Sequence, residues 1–364
     1  MNEMPSGLPE QTQQTDFEKL TMLVSEHFRI EEALLEHNIP TFYLKQPQET
    51  KQAFLKLLKK LEELNLIAFL RRIDGRLVLK IFPKPISKPS NVGINWILLL
   101  ITIGTTFATG YILSRNLVTI GGAIDPILGG IMFTIAIMAI LGLHEMGHKL
   151  TANKNRIEAT PPYFIPGPPP TFGGIGTFGA VIVQKSLPPN KDALFDIGLS
   201  GPIVSFVLAV VVTAIGSAMA IPAQPIEGAA TLPTPLITVF IWMLLSYFRL
   251  TPSPTQGQIL YMHPVEFAGW VGLLITVLNL LPAAMLDGGH IARSLVGDKA
   301  RMLLTAASIL LLILGGFWLM ALFVLFLSSQ RHPGPLDDVS SLSKGRKILA
   351  VALVAIFVLA FPIF

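Results

Sequence analysis

Apolar and polar positions follow two different regimes along this chain. In the first 88 residues they are mixed at helix and strand periods. Between residues 48 and 65, Phe54, Leu57, Leu58, Leu61 and Leu64 recur at i, i+3, i+4, i+7 and i+10, which predicts an amphipathic helix. Asp74-Gly75 then separates two β-prone runs, 66–73 and 76–82, a hairpin signal. A helix near 17–27 and strand-like residues near 39–44 complete a small N-terminal α+β soluble domain over residues 16–82. Its His27 and His37 have no partners in a ligand pattern and read as ordinary surface or core histidines. Pro83, Pro85 and Pro89, interleaved with Lys84 and Lys88, form a stiff basic linker over 83–92. The polar residues 1–15 read as disordered, and they lack the basic and apolar regions of a signal or transit peptide.

From residue 89 the pattern changes to long uncharged runs: 89–114, 126–143, 197–226, 228–248, 267–286, 302–330 and 348–364. A span needs about 20 apolar residues, so six of these are candidate crossings. The run 228–248 is the exception. Pro233 and Pro235 interrupt its start, and the remaining length suits a re-entrant or interfacial segment. The expected fold is an all-α polytopic membrane protein of about six transmembrane helices, occupying residues 93–364, plus the N-terminal α+β domain.

Composition sharpens this picture. Charged residues make up 14% and mean hydropathy is +0.60, against about 25% charged residues in an ordinary soluble chain. Residues 1–88 hold 13 Lys/Arg and 12 Asp/Glu, half of all the charges, so the remainder is suited to lipid. With no cysteine, disulfide frameworks, thiolate metal sites and cysteine nucleophiles are excluded. A net charge of +4 gives no argument for a nucleic-acid partner.

The candidate chemistry lies inside two apolar runs. His144 and His148 are four residues apart, so on a helix they share a face and can chelate one ion. Glu145 follows the first histidine, where it can act as general base on a zinc-bound water without ligating. This is the HExxH arrangement. Ionisable residues within a membrane are costly and usually functional. A third ligand is needed. A histidine six residues on is absent, because that position is Lys154, and Glu158 falls in a hydrophilic loop. Asp287, ending the run 267–286, is the better candidate, with His290 as a rival.

Several ordered motifs resemble the site-2 protease family of intramembrane zinc metalloproteases. They are His144-Glu145-Met146-Gly147-His148, Pro162-Tyr163-Phe164-Ile165-Pro166, Gly176-Thr177-Phe178-Gly179, Phe195-Asp196 through Ser200-Gly201-Pro202, Asn279-Leu280-Leu281-Pro282, and Leu286-Asp287-Gly288-Gly289. The Phe-Asp and Pro-Tyr-Phe-Ile-Pro elements look most like the branch with chloroplast thylakoid members and prokaryotic relatives. The resemblance implies one catalytic zinc ion held by His144, His148 and Asp287, with Asn279 lining the active site. It implies a metalloendopeptidase acting on membrane-embedded protein substrates, with Asn279 as a contact to the substrate carbonyl or oxyanion.

Other features stay open at this level. Ten of the sixteen residues from Pro161 to Gly176 are Pro or Gly, predicting a rigid irregular loop, and β-prone residues 177–184 follow it. This β/loop insertion would either capture an extended substrate as an edge strand or plug the cavity. Gly198, Gly201 and Ser205 fit close helix packing. A divalent-metal transporter is the alternative function, disfavoured because Lys149 rather than an acid follows His148. For the two ligand-bearing runs to end on one side of the membrane, 228–248 must not cross. That arrangement puts Lys80, Lys84, Lys88, Lys149, Lys154, Arg156, Lys185, Lys191, Arg293, Lys299 and Arg301 on one side. Arg115, Arg249, Arg331, Lys344, Arg346 and Lys347 fall on the other. The positive-inside rule then predicts a multi-pass protein of the cell membrane with a cytoplasmic N-terminal domain.

Overall fold

The computed structural model describes residues 10–85, 90–226, 228, 232–329 and 332–363. The start of the polar N-terminus, residues 86–89 of the basic linker, Arg331 and the side chain of Lys299 lie outside the described residues. The chain divides into two compact units. One comprises Met1–Lys88, Leu187–Leu194 and Pro333–Ser343; the other comprises Pro89–Ser186, Phe195–His332 and Lys344–Phe364.

The first unit contains α1 (Glu10–Ser25), β1 (Ile30–Glu36), β2 (Ile39–Leu44), α2 (Lys51–Glu63), β3 (Leu66–Ile73) and β4 (Arg76–Pro83). The strands form one antiparallel sheet in the order β1-β2-β4-β3. Asp74 and Gly75 both take positive φ, which matches a tight turn to the twist of the strands it joins. From α2, Phe54, Leu57 and Leu61 bury fully against Phe42, Leu44, Leu70, Leu79 and Ile81. Leu64 does not join that face: α2 stops at Glu63, and Leu64 caps the helix with its side chain exposed.

This unit is wider than residues 16–82. α1 starts at Glu10, since nothing between Glu10 and Asp16 breaks a helix. Two segments from the apolar half of the chain also join the sheet beyond β3. The Leu70 amide donates to the Leu336 carbonyl, and Asp337 forms parallel bridges to both Leu70 and Asn190. Asp337 is fully buried and accepts hydrogen bonds from the amides of Val339 and Ser340, while Lys51 pairs with Asp192 at 2.8 Å. An exposed strand edge offers unpaired amides and carbonyls, and these distant segments satisfy them.

The second unit runs α3 (Val92–Thr119), α4 (Pro126–Lys154), β5 (Tyr163–Pro166), β6 (Thr177–Val181), α5 (Lys191–Ala218), β7 (Ile221–Ala223), β8 (Thr234–Pro235), α6 (Leu236–Tyr247), β9 (Ile259–Tyr261), α7 (Pro264–Leu280), α8 (Asp287–Leu295), α9 (Asp298–Leu314), α10 (Trp318–Ser328), α11 (Lys344–Ala360) and β10 (Pro362–Ile363). Among the described residues three helices, α3, α4 and α5, are long and apolar enough to cross a membrane. At 1.5 Å per residue each is about 42 Å long, beyond the ~30 Å of a hydrocarbon core.

Small residues let the helices approach closely. A Cβ on Gly110 of α3 would lie 2.5 Å from Phe133 of α4, and one on Gly129 would lie 2.0 Å from the Ser114 hydroxyl. α5 and α7 meet along a second seam, with Ala209 on Gly272, Thr213 on Gly269 and Gly216 on Glu266. Such seams replace the hydrophobic drive that lipid does not supply. At one end of the second seam the buried Glu266 carboxylate accepts from Ser217 Oγ and Trp242 Nε1, each at 2.8 Å.

Two features bear on the reading of the apolar runs. β7 pairs antiparallel with β9, so the chain between them leaves and returns to the same end of the unit with α6 on the way. The run 302–330 is not one helix. It breaks at Gly315-Gly316, where Gly316 takes φ +77°, and α10 folds back along α9. The return brings His332 Nε2 to 2.8 Å from His290 Nδ1, three residues after Asp287. Arg346 in turn clasps Asp196 with two hydrogen bonds of 2.7 and 2.6 Å. Lys344, Arg346 and Lys347 therefore start α11 at the end of the unit that holds Asp196, not at the opposite end as the charge tally predicted. An apolar run alone does not reveal a glycine-made reversal in its middle.

Candidate metal centre

The helical spacing of HExxH has its expected consequence in α4. His144 and His148 lie one turn apart with their Nε2 atoms separated by 3.0 Å. Asp287 opens α8 and places Oδ2 3.3 Å from both Nε2 atoms. These three donor atoms form the cluster that could hold a metal ion. Both histidines are buried.

Glycines make the convergence possible. A Cβ on Gly201 of α5 would sit 2.2 Å from His148 Nε2, one on Gly147 2.9 Å from the Ser200 carbonyl, and one on Gly198 2.7 Å from the Asp287 carbonyl. The backbone of α5 thus lies directly against both ligand-bearing helices. Asp287 is aimed by a tight elbow between α7 and α8, in which Ala284 takes φ +45° and donates its amide to Thr305 Oγ1. Gly288 and Gly289 follow because a Cβ on either would fall within 2.4 Å of the Leu280 or Ala284 carbonyl.

Each imidazole uses its second nitrogen outward. His148 Nδ1 lies 2.8 Å from the Ile197 carbonyl, which can only accept, so Nδ1 carries the proton. His144 Nδ1 lies 3.1 Å from Ser205 Oγ. Both Nε2 lone pairs then face each other and the half-buried Asp287 carboxylate, three acceptors with no donor between them. Such a set could hold a cation, and two imidazoles with one carboxylate are a donor set that suits zinc and leaves a fourth position open. The residues fit the metal.

Glu145 is buried beside the cluster, with Oε1 3.9 Å from His144 Nε2 and its carboxylate at the backbone of Ile182, just past β6. Asn279 is half-buried in the last turn of α7, before the elbow that carries Asp287, and makes no side-chain hydrogen bond among the described residues. His290 does not join the three donors; its Nδ1 pairs with His332. Glu158 is exposed in the loop after α4. Sequence reasoning missed Ser205, Thr276 and His332 as neighbours of the site. One signal was present for Ser205, a hydroxyl on the same helical face as Gly198 and Gly201.

The Pro/Gly-rich stretch forms a hairpin beside the cluster. β5 pairs antiparallel with β6, and Asn95 and Thr105 of α3 donate to the carbonyls of Pro161, Pro162 and Gly176. Phe164 of β5 rests 3.5 Å from the position of a Cβ on Gly142, just before His144. Phe178 of β6 is 67% exposed, which leaves an apolar side chain on the hairpin surface uncovered.

Comparison with known proteins agrees with this geometry. The chain is 29% identical over 234 residues to "Probable zinc metalloprotease EGY1, chloroplastic" of Arabidopsis thaliana, covering 62% of this chain and 42% of that protein. The similarly named EGY1 protein of Oryza sativa subsp. japonica is 30% identical over 229 residues, 61% of this chain and 39% of the relative. "Probable zinc metalloprotease EGY3, chloroplastic" of Oryza sativa subsp. indica is 27% identical over 285 residues, 71% and 46% respectively. The chain spans about two-fifths of the length of the first two relatives. No solved structure matches. The sequence profile of peptidase family M50 matches residues 132–323, more than half of the chain and a stretch holding all three candidate ligands, and the chain belongs to that family.

Proposed function

We propose that this chain is an intramembrane zinc metalloendopeptidase that hydrolyses peptide bonds of membrane-embedded protein substrates. The observation that carries this reading is the convergence of His144, His148 and Asp287 with Glu145 beside them. His144, His148 and Asp287 would hold the ion. When bound, zinc supplies Lewis acidity, polarising a carbonyl and making water acidic enough to act as nucleophile near pH 7. Glu145 is the group that takes the proton from the attacking water and returns it to the leaving amine. Its burial keeps bulk water away from that transfer. Asn279 serves as a contact to the substrate carbonyl or oxyanion.

A transmembrane helix hides its carbonyls in its own hydrogen bonds, so a substrate must be extended before it is cut. The hairpin supports capture by β-augmentation: β5 is held by α3, and β6, which lies by α4, has β5 as its one strand partner among the described residues. Glu145→Gln tests the reading, because it keeps the shape and removes the base. Cleavage of a reconstituted transmembrane substrate is expected to fall by about 10²–10⁴-fold, with bound zinc unchanged. Unaltered cleavage in that variant would sink the proposal. Metal flux into vesicles that survives with no cleavage in the wild type would favour the transporter.

The proposed topology has α3, α4, α5, α7 and α11 crossing, with the pair α9 and α10 re-entering from the ligand end. Five crossings replace the six expected from apolar runs. Lys149, Lys154, Arg156, Lys185, Arg293, Arg301, Lys344, Arg346 and Lys347 then flank the ligand end, against Arg115 and Arg249 at the other, which supports a cytoplasmic ligand end and N-terminal domain. The chain has no cysteine of its own, so single cysteines report cleanly. Those at Ser186 and Lys347 should label from the cytoplasm, and those at Gln224 and Thr255 from outside. Labelling of Lys347 from outside would restore the six-crossing arrangement.

A further inference from the structure

We propose that Ser205 and Thr276 form a positioning relay that fixes the tautomer of His144 and so sets how tightly the centre holds its metal. The inference rests on the metal-centre reading above and concerns two residues that never touch the ion. His144 Nδ1, Ser205 Oγ and Thr276 Oγ1 form a chain of contacts at 3.1 and 2.9 Å, and Thr276 Oγ1 lies 2.8 Å from the Gly272 carbonyl. Ser205 and Thr276 are fully buried.

The direction of each bond follows from what each group can do. The Gly272 carbonyl only accepts, so the single Thr276 proton goes to it. Thr276 is then an acceptor towards Ser205, whose proton goes to Thr276 or to the Pro202 carbonyl at 3.2 Å. Were the Ser205 proton instead on His144 Nδ1, the 2.9 Å contact between Ser205 and Thr276 would hold no proton, so Ser205 accepts from His144 Nδ1–H. The Nε2 lone pair is thereby left facing His148 and Asp287. The two ligand histidines reach the same tautomer by different means: a backbone carbonyl holds His148, and side chains from two helices act on His144, beside the Gly201 carbonyl.

Without Ser205 the alternative tautomer becomes favourable in the metal-free protein. A proton moved to His144 Nε2 would find Asp287 Oδ2 3.3 Å away as acceptor, while a proton left on Nδ1 would lose its hydroxyl partner. Metal would then have to displace that proton to bind. Changing the hydrogen-bond partner of a ligand histidine costs about 10–100-fold in metal affinity.

The test is zinc release from the full-length protein, purified in detergent, to a chromogenic chelator. Ser205→Ala is expected to lose zinc about 10–100-fold faster than the wild type, Ser205→Thr to stay close to the wild type, and metal-free thermal unfolding to be similar in all three. Equal release from Ser205→Ala and wild type overturns the relay. So does a Ser205→Thr variant as leaky as alanine, which would trace the loss to packing instead of the hydroxyl. Where Ser205→Ala does not fold, Thr276→Val against Thr276→Ser decides: faster release from the valine variant supports the relay and equal release overturns it. A wild-type protein that binds no zinc overturns the metal centre itself, a result distinct from any difference among variants.

Discussion

Asp287→Ala is expected to leave the purified protein nearly free of zinc and without proteolytic activity, whereas His290→Ala keeps both. Asp287 is the only anionic member of the donor set, 3.3 Å from each Nε2. Removing it leaves two neutral imidazoles and no carboxylate to offset the charge of the ion. The loss should exceed the roughly 100-fold upper range seen when only a hydrogen-bond partner of a ligand is changed. His290 sits one turn along the same helix, but its Nδ1 is engaged by His332 at 2.8 Å. Zinc-to-protein ratios by elemental mass spectrometry check both variants. A full complement of zinc in Asp287→Ala together with its loss in His290→Ala would reverse the ligand assignment.

Gly201→Ala is expected to be nearly as damaging, although it adds one methyl group in a helix where alanine is the better helix former by about 1 kcal/mol. The added carbon would lie 2.2 Å from His148 Nε2 and 2.7 Å from two other ring atoms. The ring cannot yield without breaking its bond to the Ile197 carbonyl and leaving the cluster, and α5 cannot yield because Gly147 and Gly198 hold it against α4 and α8. Overpacking of this kind costs about 1–3 kcal/mol, concentrated here on a ligand. Zinc content should therefore fall well before the helices unfold. Gly104→Ala on α3, where nothing lies within 4 Å of the new carbon, serves as the control and should bind zinc normally. Equal zinc content in the two variants would show that α5 does not confine His148.

Legibility differed between local and distant features. The face of α2, the Asp-Gly turn and the paired histidines of α4 were readable because each depends on residues within one or two turns of one another. Leu64 was misjudged at the margin, since periodicity does not show where a helix stops. The glycines of α5 were correctly read as packing residues, yet what they pack against was invisible. Ser205 was grouped with them on the same ground, and its contacts to His144 and Thr276 depend on two other helices. The run 302–330 shows the same limit, because uniform apolarity was compatible with both one long helix and two short ones.

What the sequence determined by itself is the chemistry on offer: a lipid-compatible chain without thiols, a histidine pair with an acid beside it, and a carboxylate ending a distant apolar run. Hydropathy and helical spacing are local properties, so they can be read in order along the chain. Only the tertiary structure decided which carboxylate meets the histidines, which nitrogen of each imidazole faces the cluster, and at which end of the apolar helices α11 begins. Those outcomes depend on helix seams whose contacts lie dozens of residues apart, where a missing Cβ or a single hydroxyl sets the distance between backbones.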